Sequence, residues 1–438
     1  MRMFAAILLA TLASLIGCSA NNSSTTLTIA TVNNGDMIVM KKLAPEFERQ
    51  HPDVRLKWVV LEENVLRQRV TTDVATGAGQ FDVVTIGNYE APIWARQKWL
   101  RPITGIPADY EAGDLLEPVR NAVTSQGQIF ALPFYAESAM TYYRTDLFEK
   151  AGLRMPEHPT YTQIAEFAHR LTDRPNQVYG ICLRGKPGWG ENIATITSIV
   201  HAFGGRWFDM QWHAALDTPE WHRAITYYSD LLKSDGPPGA TSNGFNENLA
   251  LFASGHCAIW IDSTVAATLL YSSEHSNVAG KISYAPMPTD QDATAPTWLW
   301  SWNLAVPASS KHAEAAIKFA TWATSRAYIG LVAKAQGWLA VPPGTRQSTY
   351  DSAEYQHAAP FAGFVRDAIN TAIPAESGTA TRPYRSAEFV AIPAFQGLGT
   401  QVGQIMAATL TGQSSVDAAL KEAQTAAEHA VQQPGNAQ

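Results

Sequence analysis

The sequence predicts an α/β protein built on a parallel sheet, and three observations carry that reading. Strand and helix patterns alternate from Leu27 to Ile86, the order that places strands side by side in parallel. Each of those strands empties into a polar loop rich in carboxylate and carboxamide, where ligands collect in such sheets. The chain has 438 residues, too many for one simple core and suited to two domains of conventional size.

At the start, Arg2 supplies a single positive charge, and an apolar run from Phe4 to Ile16 leads into Leu15-Ile16-Gly17-Cys18. The run is too short to span a bilayer as a helix and reads as a secretory signal over residues 1–17. Leu-Ile-Gly-Cys resembles a bacterial lipobox, in which cleavage exposes the cysteine to acylation. Cys18 is therefore expected to become the lipidated first residue, holding the protein to a membrane outside the cytoplasm. An ordinary cleaved signal that happens to contain a cysteine is the other reading. Residues 18–26 form a short polar linker.

Leu27 to Thr31 reads as a buried strand. Met40, Leu43, Ala44 and Phe47 follow at helical spacing, with Pro45 as a kink. Val54, Leu56, Trp58 and Val60 alternate as a second strand, Asn64 to Thr76 is helical, and Asp82 to Ile86 is a third strand. The loops after these strands carry Asn33-Asn34-Gly35-Asp36, Glu62-Glu63-Asn64 and Gly87-Asn88-Tyr89-Glu90. Gln128 to Pro133 predicts a further strand, and Met140 to Tyr143 opens a second αβ region. Tyr161 to Leu171, Trp221 to Leu232, Ala313 to Ala323 and Ser415 to Val431 predict helices, and Trp298 to Pro307 a strand.

Composition narrows the function classes. With a net charge of −7 and no basic cluster, nucleic acid and acidic lipid are poor partners. No zinc-type Cys/His spacing, Walker-type loop or Gly-x-Ser-x-Gly elbow is present, so no metal and no cofactor is expected. Cys182 and Cys257 could pair in an oxidising compartment, but without a close spacing separate buried thiols are the expectation.

Several segments together resemble a known family. Phe81-Asp82-Val83-Val84, Tyr143 to Phe148 followed by Ala151-Gly152-Leu153, and Phe252-Ala253-Ser254-Gly255 are similar to segments of extracellular solute-binding proteins that serve bacterial ATP-driven sugar importers. Val416 to Ala423 is similar to the final helix of maltose-binding-type members. More narrowly, Ala30 to Met37, Trp58 to Arg69, Phe81 to Tyr89, Trp260 to Ala267 and Arg382-Pro383-Tyr384 resemble the sorbitol/mannitol-binding branch. The resemblance covers essentially the whole mature chain. It implies a periplasmic-binding-protein-like fold of type II, with two αβ lobes joined by hinge strands and a ligand cleft between them. The expected division is 27–137 plus 300–338 for the first lobe and 138–299 plus 339–438 for the second. Many polyol binders of Gram-negative bacteria are free periplasmic proteins, so the lipobox departs from the pattern.

A linear sugar alcohol needs charged acceptors, matching donors and flat aromatic faces. Asp36 either accepts from such a ligand or caps the helix that follows it. Asn34 shares its loop. Glu62 and Glu63 are neighbours and point apart, so one of them, Glu63, faces the cleft, while Arg67 one turn on pairs with it or donates to ligand. Asn88 and Glu90 occupy the third strand end, where Asn88 could equally form the turn. The resemblance makes Glu137 ligand-facing, after the apolar run Leu132 to Tyr135. Trp189 lies between glycines, and Asp262 interrupts an apolar run as either a directed polar group or a turn residue. Trp298, Trp300 and Trp302 alternate and share one face of a strand, with Trp300 and then Trp302 the cleft candidates and at least one of the three pure core. Arg382 and Tyr384 offer a fork donor and an aromatic tip.

The implied function is non-catalytic capture of a hexitol such as sorbitol or mannitol and its delivery to ABC permease subunits, by a monomer. The same fold holding a disaccharide or other cyclic sugar is a second reading. A secreted glycosidase-like enzyme is a third, since paired carboxylates beside aromatics also describe glycosidases.

Overall fold

The computed structural model describes residues 24–290, 298–372, 381–384 and 386–432. The signal segment 1–17, Cys18 and most of the linker lie outside the described residues. The strands are β1 (Thr25–Val32), β2 (Val54–Leu61), β3 (Val83–Gly87), β4 (Thr124–Ser125), β5 (Gln128–Ile129), β6 (Ala131–Glu137), β7 (Ala139–Arg144), β8 (Tyr179–Cys182), β9 (Cys257–Ser263), β10 (Ile282–Ala285) and β11 (Trp300–Ala305). They form one sheet in the order β2-β1-β3-β11-β6, a second in the order β10-β7-β9-β8, and the hairpin β4-β5.

β1 runs parallel to both β2 and β3, as the strand–helix alternation requires. The first sheet is nevertheless mixed, because β11 returns from the second sheet and runs antiparallel between β3 and β6. Pro45 does not kink one helix. The helix Gly35–Leu43 stops, and a new one, Pro45–Gln50, starts on the proline, where a missing N–H leaves nothing unpaired. The strand expected over Gln128–Pro133 is split, with β5 short and β6 carrying the pairing. Pro133 cannot donate to the ladder, and the β11–β6 register shifts between Trp302 and Asn303 opposite that stretch.

Only Ser138 separates β6 from β7, so the chain passes between the sheets over a single residue. That residue is pinned: its N–H donates to Thr264 Oγ1 at 3.0 Å and its carbonyl accepts from the Thr264 N–H at 2.8 Å. Trp300 pairs in register with Glu137 at the same place. The helix Phe395–Leu410 packs on Asn192–Ala202 and Pro219–Asp235, beside the second sheet, and Val416–Gln432 packs on it. By contrast, Ala362–Thr371 packs on β6 and on Glu117–Ala122, although the sequence boundaries place 339–438 wholly in the second lobe. Arg346 pairs with Asp114 and the Ser348 N–H donates to Asp114, so the chain stays with the first side through Ala362–Thr371, before its last two helices.

Cys182 and Cys257 form a disulfide, with Cα atoms 6.0 Å apart, rather than the separate thiols expected. Their sequence separation of 75 misleads because β8 and β9 are parallel neighbours in one sheet.

Candidate functional site

A cavity lies where the two sheets meet. Asn34, Glu63, Arg67, Tyr135 and Glu137 line it from the first sheet and its loops, together with Trp300 and Trp302. Arg184, Trp189, Phe245 and Trp298 come from the second side, and Glu388 and Phe389 from the loop that precedes the last two helices.

Glu62 accepts from the Val65 N–H and ends β2's loop, so Glu63, the first residue of the helix Glu63–Thr76, turns the other way into the cavity. One helical turn later, Arg67 donates through Nε and Nη2 to Glu63 Oε1 at 3.1 and 2.9 Å. Its Nη1 donates to Glu90 Oε1 at 2.8 Å. The same guanidinium lies 4.0 Å from the Trp189 ring centroid, 4.7 Å from Trp302 and 4.9 Å from Trp300, so cation–π attraction fixes three indoles around one charge. Two glycines make this crowding possible. A Cβ on Gly87 would lie 2.1 Å from Trp300 Cη2, and one on Gly190 would lie 2.4 Å from Glu63 Oε1.

On the second side, Arg184 follows β8 and grips Asp262, with Nε 2.9 Å from Oδ2 and Nη2 2.6 Å from Oδ1. Asp262 also accepts from Trp260 Nε1 at 3.2 Å and from the Ser263 N–H at 2.7 Å. Arg184 Nη1 donates to the Gly190 carbonyl at 2.8 Å. This network is fully buried at Asp262, and the Phe245 ring sits 5.2 Å from the guanidinium.

Burial dominates the electrostatics. It pushes the Glu137 carboxyl up to about 8, against the pull of a hydrogen bond from Ser263 and the charge of Arg184. Burial and the nearby Glu63 push Glu191 up as well. The Glu388 carboxyl is pushed well above the carboxylate range by burial and by Glu137. At neutral pH Glu137 is therefore mostly the neutral acid, able to donate as well as accept.

Of the twelve residues singled out in the sequence, Asn34, Glu63, Glu137, Trp189, Trp300 and Trp302 line the cavity. The other six do not. Asp36 sits in the first turn of Gly35–Leu43 and is not among the lining residues, with its carboxyl pushed up to about 7 by burial. Asn88 spends its amide on the Leu299 carbonyl and the Ser301 N–H, tying its loop to β11. Glu90 backs Arg67 and accepts from the Gly87 N–H. Asp262 backs Arg184. The Tyr384 hydroxyl meets His201 Nε2 and accepts from the Trp207 N–H, and Arg382 donates to the Ser386 carbonyl. Asp36 apart, these are buried polar groups with partners within the fold, which sequence alone does not separate from groups facing a ligand. The expectation that one of Trp298, Trp300 and Trp302 is pure core also fails, since all three reach the cavity.

The sequence reading missed Arg184, Tyr135, Phe245, Glu388 and Phe389. Arg184 carried a usable signal, a charge placed directly after the apolar strand Ile181-Cys182-Leu183, the same pattern that pointed to Glu137. Glu388 carried none, because its loop has no periodicity.

An acid-rich, aromatic-walled cavity between two αβ sheets defines a solute-binding architecture of the type II periplasmic class. Residues 34–329 match the family of bacterial extracellular solute-binding proteins, and the chain belongs to that family. It is 55% identical over 400 residues, 91% of each chain, to the mannitol-binding protein of Pseudomonas aeruginosa. The crystal structure of an ABC transporter solute-binding protein from Agrobacterium vitis S4 with bound D-mannitol has the same identity. It covers 95% of this chain and 100% of that one, with a TM-score of 0.93. A solute-binding protein from Agrobacterium radiobacter K84 in complex with ribitol shares the fold at 24% identity and a TM-score of 0.82, covering 92% of this chain and 98% of that one.

Proposed function

We propose that this protein captures a hexitol, D-mannitol or its epimer D-sorbitol, and delivers it unchanged to the permease of an ATP-driven importer. The observation that carries the reading is the lining of the cavity. Two arginine forks, three carboxyls and a set of indole faces converge on one space. An acyclic polyol has donors and acceptors along its whole length and thin C–H edges, and this lining offers a match for each. The likeness to the D-mannitol-bound structure over nearly the full chain supports the same ligand class.

Capture works by closure of two lobes around the ligand. The division proposed is that of the sequence reading, 27–137 with 300–338 against 138–299 with the tail, except that 343–371 packs with the first sheet. Closure is supported by links between the two sides, Asn64 Nδ2 to the Pro187 carbonyl at 3.2 Å and Lys186 Nζ to Glu62 Oε1 at 2.7 Å. The protein acts as a monomer, held by acylated Cys18 at the outer face of a membrane. Micromolar affinity corresponds to about −8 kcal/mol, within reach of a few charge-assisted hydrogen bonds and stacked faces.

Titration calorimetry with D-mannitol, D-sorbitol, ribitol and maltose tests this. Micromolar or tighter binding of a hexitol, no heat with maltose and recovery of intact hexitol by NMR are expected. Tight maltose binding with no response to hexitols would overturn the ligand class, and cleavage of a glycoside would replace capture with catalysis.

A further inference from the structure

Glu388 and Phe389 close the cavity from a stretch of chain that lies outside the 34–329 span shared with the wider family. Phe389 packs edge-on against Tyr89, Trp189 and Trp300, with centroids 5.3, 6.4 and 5.9 Å away, so the loop is seated on the aromatic wall. Ser386 helps form the turn. Its φ is 101, rare for a residue with a side chain, and its hydroxyl accepts from the Glu388 N–H at 3.3 Å. The Glu388 side chain that results is 3% exposed, and its Oε1 has no hydrogen-bond partner among the described residues. The charged groups that act on it are Glu137 at the end of β6, Arg184 after β8 and Arg67 on Glu63–Thr76, which are all cavity residues.

A buried carboxyl oxygen without a partner costs about 1–3 kcal/mol unless something else supplies the hydrogen bond. Glu388 is one of the residues that line the ligand cavity, so a bound ligand is the partner at hand. Resting on the polyol reading above, we propose that Glu388 is a specificity-determining residue, whose Oε1 takes one particular hydroxyl of the bound hexitol. A site built to pair a ligand hydroxyl rejects the analogue that lacks it far more strongly than an apolar pocket rejects a missing methylene. Selection among polyols would then be set from this loop, while the rest of the lining supplies general affinity.

Mannitol is two-fold symmetric and can bind either way round, so its 1,6-, 2,5- and 3,4-dideoxy analogues, which keep that symmetry, sample every hydroxyl. Calorimetry of the full chain and of Glu388→Ala and Glu388→Gln against mannitol and these three analogues gives a complete ligand–protein cycle, with thermal melts confirming that each variant is folded. In the natural protein one analogue should bind at least tenfold more weakly than mannitol. In Glu388→Ala mannitol should lose at least tenfold, and the gap between mannitol and that same analogue should shrink at least fivefold. Glu388→Gln, which keeps a polar tip, should fall between. If the natural protein binds mannitol but Glu388→Ala and Glu388→Gln keep its affinity and its ranking of analogues, the inference is overturned alone. If the natural protein binds no hexitol at all, the polyol reading falls and takes this assignment with it.

Discussion

Arg67 and Arg184 reach the cavity from its two sides, buried to 7% and 6% exposure, and each uses Nε, Nη1 and Nη2 to hold acceptors of the protein itself. Their partners differ. Arg184 is anchored by Asp262, which is fully buried behind it and does not line the cavity. Arg67 is held partly by Glu90 behind it and partly by Glu63, which is itself part of the cavity wall. On the second side anchoring and ligand contact are separate jobs. On the first side one carboxylate does both, and three indoles take over the rest of the positioning.

The sharpest way to break this contrast is to remove one anchor from each side. Asp262→Ala leaves Arg184 buried with only the more distant Glu191, 3.7 Å away and with its carboxyl pushed up by burial, which should cost about 3–5 kcal/mol of stability in a denaturant melt and also weaken ligand binding. Glu63→Ala should cost less stability, because Glu90 still neutralises Arg67, while weakening hexitol binding by at least tenfold in calorimetry. Equal stability losses in the two variants would contradict the division of labour.

The next effect in size is pH dependence. Burial raises the Glu137 carboxyl from an ordinary 4.5 to about 8 in the folded protein. The native state therefore binds this proton more tightly than the unfolded chain does. The stabilisation is complete below about pH 4.5 and is lost as pH rises through about 8. Thermal melts of the unliganded protein should show stability falling from pH 5 to 8.5, and Glu137→Gln should flatten that decline. Glu191 and Glu388 are shifted the same way and leave part of the slope in place. A stability that rises over this range would contradict the account.

The smallest effect belongs to Lys186, whose pair with Glu62 joins the two sides at the rim with 23% and 34% of the side chains exposed. Lys186→Ala should change stability by less than about 1 kcal/mol and hexitol affinity by no more than a few-fold. A large loss would show that the rim, rather than the cavity, governs closure.

Much of the first sheet was legible in the sequence. Strand and helix patterns alternate cleanly enough from Leu27 to Ile86 that β1, β2, β3 and the polar loops after them follow from the order of apolar segments and polar turns. The site was legible to the level of segments more than of residues. Glu137 and Arg184 each follow an apolar strand, so a charge there stands out. Glu90 and Asp262 look the same in sequence as Glu63 and Glu137, yet one pair stands behind arginines and the other forms the wall. That difference depends on which side of a strand end or helix turn faces the second sheet, a tertiary fact. Cys182 and Cys257 were obscure for a related reason, since the neighbourhood of β8 and β9 is invisible across a sequence separation of 75. Glu388 depends on a loop seated by aromatic contacts from three distant segments, and no local pattern announces it.

A crystal structure of this protein grown with D-mannitol would test the central claim most directly. The account predicts one intact hexitol enclosed between the sheets, its hydroxyls on Glu63, Glu137 and Arg184 and its carbon chain along Trp300. An empty cavity at saturating mannitol, or a ligand bound on an outer face away from these residues, would contradict it.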